Sequence, residues 1–192
     1  LSRVKLKIME REKILNLLKE NLKNPNLIKH SLAVEAGMRA LARYFGEDEE
    51  KWGIAGLLHD IDYEKTKGDP NLHSKVGSQI LREMGFDQEI CDAILTHNEA
   101  HGILPLSRMA KALFCLDPLT GLIVAATLVL PSKKLKDLKV ENVLNRFKEK
   151  SFARGANREI IKKCEEYLGL PLEKFVEIVL RAMQEISDQL GL

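Results

Sequence analysis

At 192 residues, with 45% apolar and 30% charged side chains, the chain is sized for one compact soluble domain with a sizeable core rather than for two domains. Lysine and arginine number 30 against 28 aspartate and glutamate, and a net charge of +2 is too slight to advertise a polyanion partner, so any electropositive function is local. Cys91, Cys115 and Cys164 are odd in number, far apart and set in apolar helical patterns, which speaks against a disulfide scaffold or zinc knuckle and for a reducing cytoplasm.

Apolar residues recur at helical spacing nearly throughout, and period-two alternation between hairpin turns is missing, so the fold class is all-α. The leading stretch Leu1-Ser2-Arg3-Val4-Lys5 carries no apolar segment of the secretory type, and no such signal is expected. In chain order the pattern predicts helices over about 8–22, 26–45, 49–60, 72–84, 87–97, 106–116, 119–130, 140–150, 157–168 and 172–189. Asn24-Pro25, Asp69-Pro70 and Asp117-Pro118 each place a capping side chain before a proline, as at helix starts. Gly46, Gly85 and Gly169 read as C-terminal stops. The apolar run Leu119 to Leu130 is broken by Thr120, Gly121 and Thr127 and is too short for a bilayer, so no membrane partner is expected. The lysine-rich stretch Pro131 to Val140 is a seam between a helical core, 1–130, and C-terminal helices, 131–192, that pack on it within one domain.

The five histidines, His30, His59, His73, His97 and His101, all fall in the first 101 residues, on successive predicted helices or helix ends. His30 shares a face with Leu27, Val34 and Gly37, and Ala55 and Gly56 precede His59 by one turn, so both point inward. Spacings of 4, 3 and 4 put His97 and His101 on one stripe with Ile90 and Ile94; Leu106, Ala110, Leu113 and Asp117 form another. Imidazoles and carboxylates converging on one interior need a compensating charge, and a bound metal ion would supply it.

The segment Gly56-Leu57-Leu58-His59-Asp60-Ile61-Asp62, with His30 before it and Asp117 after it, resembles the HD-domain superfamily of metal-dependent phosphohydrolases, in its HDIG-related form, over roughly residues 26–130. The resemblance implies an HD-like helical bundle in which His30, His59, Asp60 and Asp117 hold a divalent transition metal (Fe, Mn, Ni, Co or Zn). It further implies that His73 and His97 occupy the second-ion positions, with Asp60 bridging, for one or two ions in all. Two departures stand out: His97 is followed by Asn98 and Glu99 where a second histidine is common, and Ile61-Asp62-Tyr63 replaces the frequent Ile-Gly-Lys. Glu64 and Lys65 follow at once and are candidates for proton transfer and phosphate contact. Asp60, His73, His97 and Glu64 are thus the candidate catalytic residues, and Lys65, His101 and Lys133 the candidate substrate contacts.

The implied reaction is hydrolysis of a phosphoester, in a small nucleotide or related phosphorylated metabolite, by metal-activated water. Nucleic acid is a less favoured substrate. Rival readings are a metal-stabilised interaction or regulatory module without catalysis, and a di-iron oxygenase on the same scaffold. The basic run Lys133 to Arg158, with Arg154 and Arg158 in it, could collect a phosphorylated or nucleic-acid ligand, but most of its side chains read as a solvated face interleaved with Asp137, Glu141 and Glu149. Phe147, Phe152, Met38, Met84, Met109, Met183 and Trp52 read as packing residues.

Overall fold

The computed structural model describes residues 3–192, with side chains from residue 11 onward. Leu1 and Ser2, at the head of the stretch read above for a secretory signal, lie outside the described residues. The described chain is helical without strands: α1 (Arg3–Asn21), α2 (Pro25–Phe45), α3 (Glu49–Leu58), α4 (Tyr63–Thr66), α5 (Lys75–Glu83), α6 (Gln88–Thr96), α7 (Arg108–Leu128), α8 (Val140–Lys148), α9 (Arg158–Lys162), α10 (Cys164–Leu168), α11 (Leu172–Glu185) and α12 (Ser187–Leu190).

Helix α2 starts where the sequence asks it to. Asn24 accepts the Asn26 N–H, Pro25 occupies the first turn, and Gly46 ends the helix at φ 70°. Gly85 and Gly169 stop their helices in the same left-handed conformation, at φ 81° and 65°. Asp69-Pro70 behaves differently: Asp69 caps only a turn, accepting the Asn71 N–H at 2.9 Å, and α5 begins later, after Ser74.

Asp117-Pro118 is the larger correction, because the two helices expected at 106–116 and 119–130 are one, with Pro118 inside it. A mid-helix proline leaves one carbonyl in the preceding turn without its helical N–H. Burial keeps the helix whole regardless: Leu113, Leu116, Leu119, Leu122 and Ile123 are each fully buried, and each contributes roughly 1.5–3 kcal/mol. Asp117 is consequently not a cap, and its carboxylate is directed at His30 instead. Leu106, expected on the same stripe, is 86% exposed ahead of the helix, and Met84 is likewise solvent-facing at the end of α5. Met38, Met109, Met183 and Trp52 are buried as expected.

Helix α7 runs through the middle, against α2, α6, α8, α9 and α10, and α11 packs on α2. It is the one described helix long and apolar enough to cross a membrane, and 67% of that apolar window is buried within the fold. Two glycines allow the approaches that build the site. A Cβ on Gly56 would lie 2.9 Å from the Val34 carbonyl oxygen, and one on Gly37 would lie 2.6 Å from Leu116, so α3 and α7 can both sit directly on α2. Leu135 and Leu138 of the lysine-rich seam are buried, and Gln184 donates to both of their carbonyls at 3.0 Å. All three cysteines are free and buried.

Candidate metal centre

Four helix ends and one mid-helix residue deliver the site. His30 comes from the first turns of α2, His59 and Asp60 from the turn that closes α3, His73 from the segment before α5, His97 from the end of α6, and Asp117 from the middle of α7.

Each imidazole is held through Nδ1. His59 Nδ1 lies 2.8 Å from the Gly56 carbonyl and His97 Nδ1 2.6 Å from the Ile94 carbonyl. A carbonyl only accepts, so both Nδ1 atoms carry the proton and both Nε2 atoms present a lone pair when neutral. His73 Nδ1 meets Asp62 Oδ1 at 3.0 Å. Thr120 donates its hydroxyl to the Asp117 carbonyl and so receives His30 Nδ1–H, at 3.2 Å. Four lone pairs therefore face one interior volume.

The inward distances, 2.9 to 3.7 Å, lie close to those between ligands that share an ion. His30 Nε2 is 2.9 Å from Asp117 Oδ1, 3.2 Å from His59 Nε2 and 3.7 Å from Asp60 Oδ2. His59 Nε2 is 3.4 Å from Asp60 Oδ2 and 3.6 Å from Asp117 Oδ1. Donors about 2.1 Å from a shared ion lie about 3.0–3.4 Å apart. Asp60 turns its other oxygen to the remaining pair, with Oδ1 3.2 Å from His73 Nε2 and 3.5 Å from His97 Nε2. One carboxylate thus spans two donor sets, and its chemistry suits a borderline divalent ion bound by mixed nitrogen and oxygen.

The electrostatics demand a cation. Burial disfavours the charged form of His59, yet Asp60 and Asp117 outweigh it and hold the imidazole well above the ordinary histidine range. His73, also opposed by burial, is pushed up to about 9 by Asp60 and Asp62. Asp60 and Asp117, despite burial that raises them, are held well below the ordinary carboxylate range by the facing histidines.

Two residues that hold the site were missed as such from the sequence. Asp62 was visible only as a departure from the commoner glycine, yet it is fully buried, orients His73, and accepts the Gly77 N–H at 2.8 Å through Oδ2. An acid two residues beyond the His-Asp pair, between apolar neighbours, was the available signal. Thr120, three residues after Asp117, had no signal of its own.

Four expectations are displaced. Glu64 is half-buried on the outer surface and spends both oxygens on the backbone N–H groups of Lys23 and Asn24, at 2.9 and 2.7 Å, which pulls its pKa down and ties the α1–α2 turn to α4. Lys65 donates to Asn21 at 2.7 Å on the same outer surface. His101 is not on the stripe of His97, because α6 has ended; it lies on a separate turn, with Nε2 2.6 Å from the His73 carbonyl, and so braces His73 from behind. Lys133 is exposed beyond the far end of α7, which runs about 16 Å past Asp117. Asn98, where a second histidine is common, donates to the carbonyls of Pro70 and His73 at 2.8 and 3.2 Å and joins the two histidine segments.

Comparison with known proteins agrees with this geometry. The HD domain family model matches residues 27–122, half of the 192-residue chain. An uncharacterized protein of Methanocaldococcus jannaschii is 41% identical over 87 residues, 43% of this chain and 50% of that protein. Ribonuclease Y of Lawsonia intracellularis is 30% identical over 138 residues, and ribonuclease Y of Oleidesulfovibrio alaskensis 31% over 140, in each case 70% of this chain and 26% of the relative. The chain therefore spans half of the first relative and about a quarter of the ribonucleases. No solved structure matches it.

Proposed function

The chain belongs to the HD domain family, and from that premise we propose that it hydrolyses phosphoester bonds with divalent ions held by His30, His59, Asp60 and Asp117 on one side and by Asp60, His73 and His97 on the other. The observation that carries the reading is the convergence of four Nε2 lone pairs on Asp60, whose two oxygens face separate donor sets. Divalent ions held by these residues would supply a water acidified toward neutrality and a contact for a phosphoryl oxygen. The protein's own share is positional. Nδ1 contacts fix every ring, Asp60 and Asp117 balance the charge, and the open side of His30 and Asp117 faces a cavity of about 360 Å³ that admits a substrate.

The substrate we infer is a small nucleotide or related phosphorylated metabolite, in the reducing interior that three free cysteines suit. The relatives named ribonuclease Y support a phosphodiester in particular, with RNA as the alternative substrate. The test is metal analysis after loading with Mn²⁺ or Co²⁺, with release of nitrophenol from bis(p-nitrophenyl) phosphate and p-nitrophenyl phosphate. Asp60→Ala and His59→Ala should lose bound metal and at least about 100-fold in turnover. A wild type that binds no transition metal, or variants as fast as it, would overturn the proposal. Metal without turnover would favour a metal-stabilised regulatory module, and oxygen consumption an oxygenase.

A further inference from the structure

Beyond residue 122, where the family match ends, the segment between α8 and α9 returns to the metal centre at residues 153–156. There Ala153, Arg154, Gly155 and Ala156 form the wall of the 360 Å³ cavity whose other wall is His30, Asp117, Pro118 and Gly121. Gly155 also lines the adjoining cavity of about 170 Å³ that reaches His73 and His97.

The loop is held in a defined shape. The Arg158 guanidinium donates to the carbonyls of Ala153 and Ala156 at 2.7 and 2.6 Å, closely to that of Phe152, and at 3.4 Å to those of Arg146, Phe147 and Glu149. Such fixation sustains Ala153 at φ 44°, a conformation costly for a residue with a side chain. Asn157 ties the loop's end to Glu99 at 3.1 and 3.2 Å, just past His97.

On this fixed lip Arg154 is exposed, and its guanidinium has no hydrogen bond or ion pair among the described residues. It is the one cationic side chain lining that cavity. An unpaired guanidinium opposite His30 and the Asp117 carboxylate matches a phosphoryl group, which has oxygens left over after some are drawn to an ion, and a planar fork can take two of them.

We propose that Arg154 is the phosphate-binding residue of this site and that Arg158 is a positioning residue which aims it by holding the carbonyls of residues 146–156. The inference rests on the phosphoester reading above. It also assigns a role in substrate binding to a part of the chain outside the matched domain, within a run that reads from sequence as a solvated basic face.

The experiment is calorimetric titration of the Mn²⁺-loaded protein with inorganic phosphate, alongside KM and kcat on bis(p-nitrophenyl) phosphate. Arg154→Gln should keep the wild-type metal content, weaken phosphate on the order of 10- to 100-fold and raise KM more than it lowers kcat. Arg154→Glu should weaken it further and Arg154→Lys less. Arg158→Gln should melt earlier and reproduce the KM rise, and Arg158→Lys should not rescue it, because an ammonium cannot reach all those carbonyls. Lys134→Gln, exposed on the seam, should change nothing. Unchanged phosphate affinity in Arg154→Gln overturns the proposal, as does an equal loss in Lys134→Gln or a loss explained by missing metal. If the wild type hydrolyses no phosphoester, the functional reading falls, while the phosphate titration still reports on Arg154.

Discussion

Replacing Asp62 by asparagine tests the site's tautomer logic without removing its packing. Asp62 gives Oδ2 to the Gly77 N–H at 2.8 Å and Oδ1 to His73 Nδ1 at 3.0 Å. Asparagine has one acceptor, and Gly77 can only donate, so the amide oxygen must face Gly77 and the amide NH2 must face His73. His73 Nδ1 then has to accept, which moves the ring proton to Nε2, against Asp60 Oδ1 at 3.2 Å, and takes away the lone pair an ion would use. Support of this kind is worth about 10- to 100-fold in metal affinity, or roughly 1.4–2.8 kcal/mol. Stability should drop by only about 1 kcal/mol in Asp62→Asn, but Asp62→Ala strands two buried donors at about 1–3 kcal/mol each. Calorimetric titration with Mn²⁺ and thermal melts of the metal-free proteins give both numbers. If Asp62→Asn binds as many ions as wild type at the same affinity, or if the alanine variant melts with the asparagine variant, the reasoning is refuted.

Three more outcomes follow from the same geometry. Glu64→Gln should leave turnover intact and lower the melting temperature at neutral pH. Because the folded carboxyl is held below its ordinary range, its contribution is present above that range and lost as pH falls through the folded value, so the two melting curves should converge as the pH falls below the ordinary carboxylate range. Gly56→Ala places a methyl 2.9 Å from the Val34 carbonyl and 3.0 Å from the Glu35 backbone, so α3 must back away from α2; a loss of about 1–3 kcal/mol on urea unfolding is expected, and none would mean the contact is not tight. Burial raises all three thiols, Cys164 to about 12, so native protein should resist iodoacetamide at about pH 8 while denatured protein takes three labels by mass.

The all-α class, most helix positions and the inward-facing histidines were legible in the residues themselves, because helical periodicity and scarce histidines on apolar faces are local signals, while the grouping of His30, His59, Asp60, Asp117, His73 and His97 came from the resemblance to the HD-domain superfamily. Tertiary structure decided the rest. Whether Asp117-Pro118 breaks a helix depended on the burial of Leu113, Leu116 and Leu119 around it, since a local preference of a few kcal/mol yields to a core. Glu64, Lys65 and Lys133 had the right chemistry in the right stretch, and only the turn after Asp60 and the length of α7 determined that they face outward. Asp62 and Thr120 acquired their roles from partners 11 and 90 residues away, and such pairings exist only once the helices have packed.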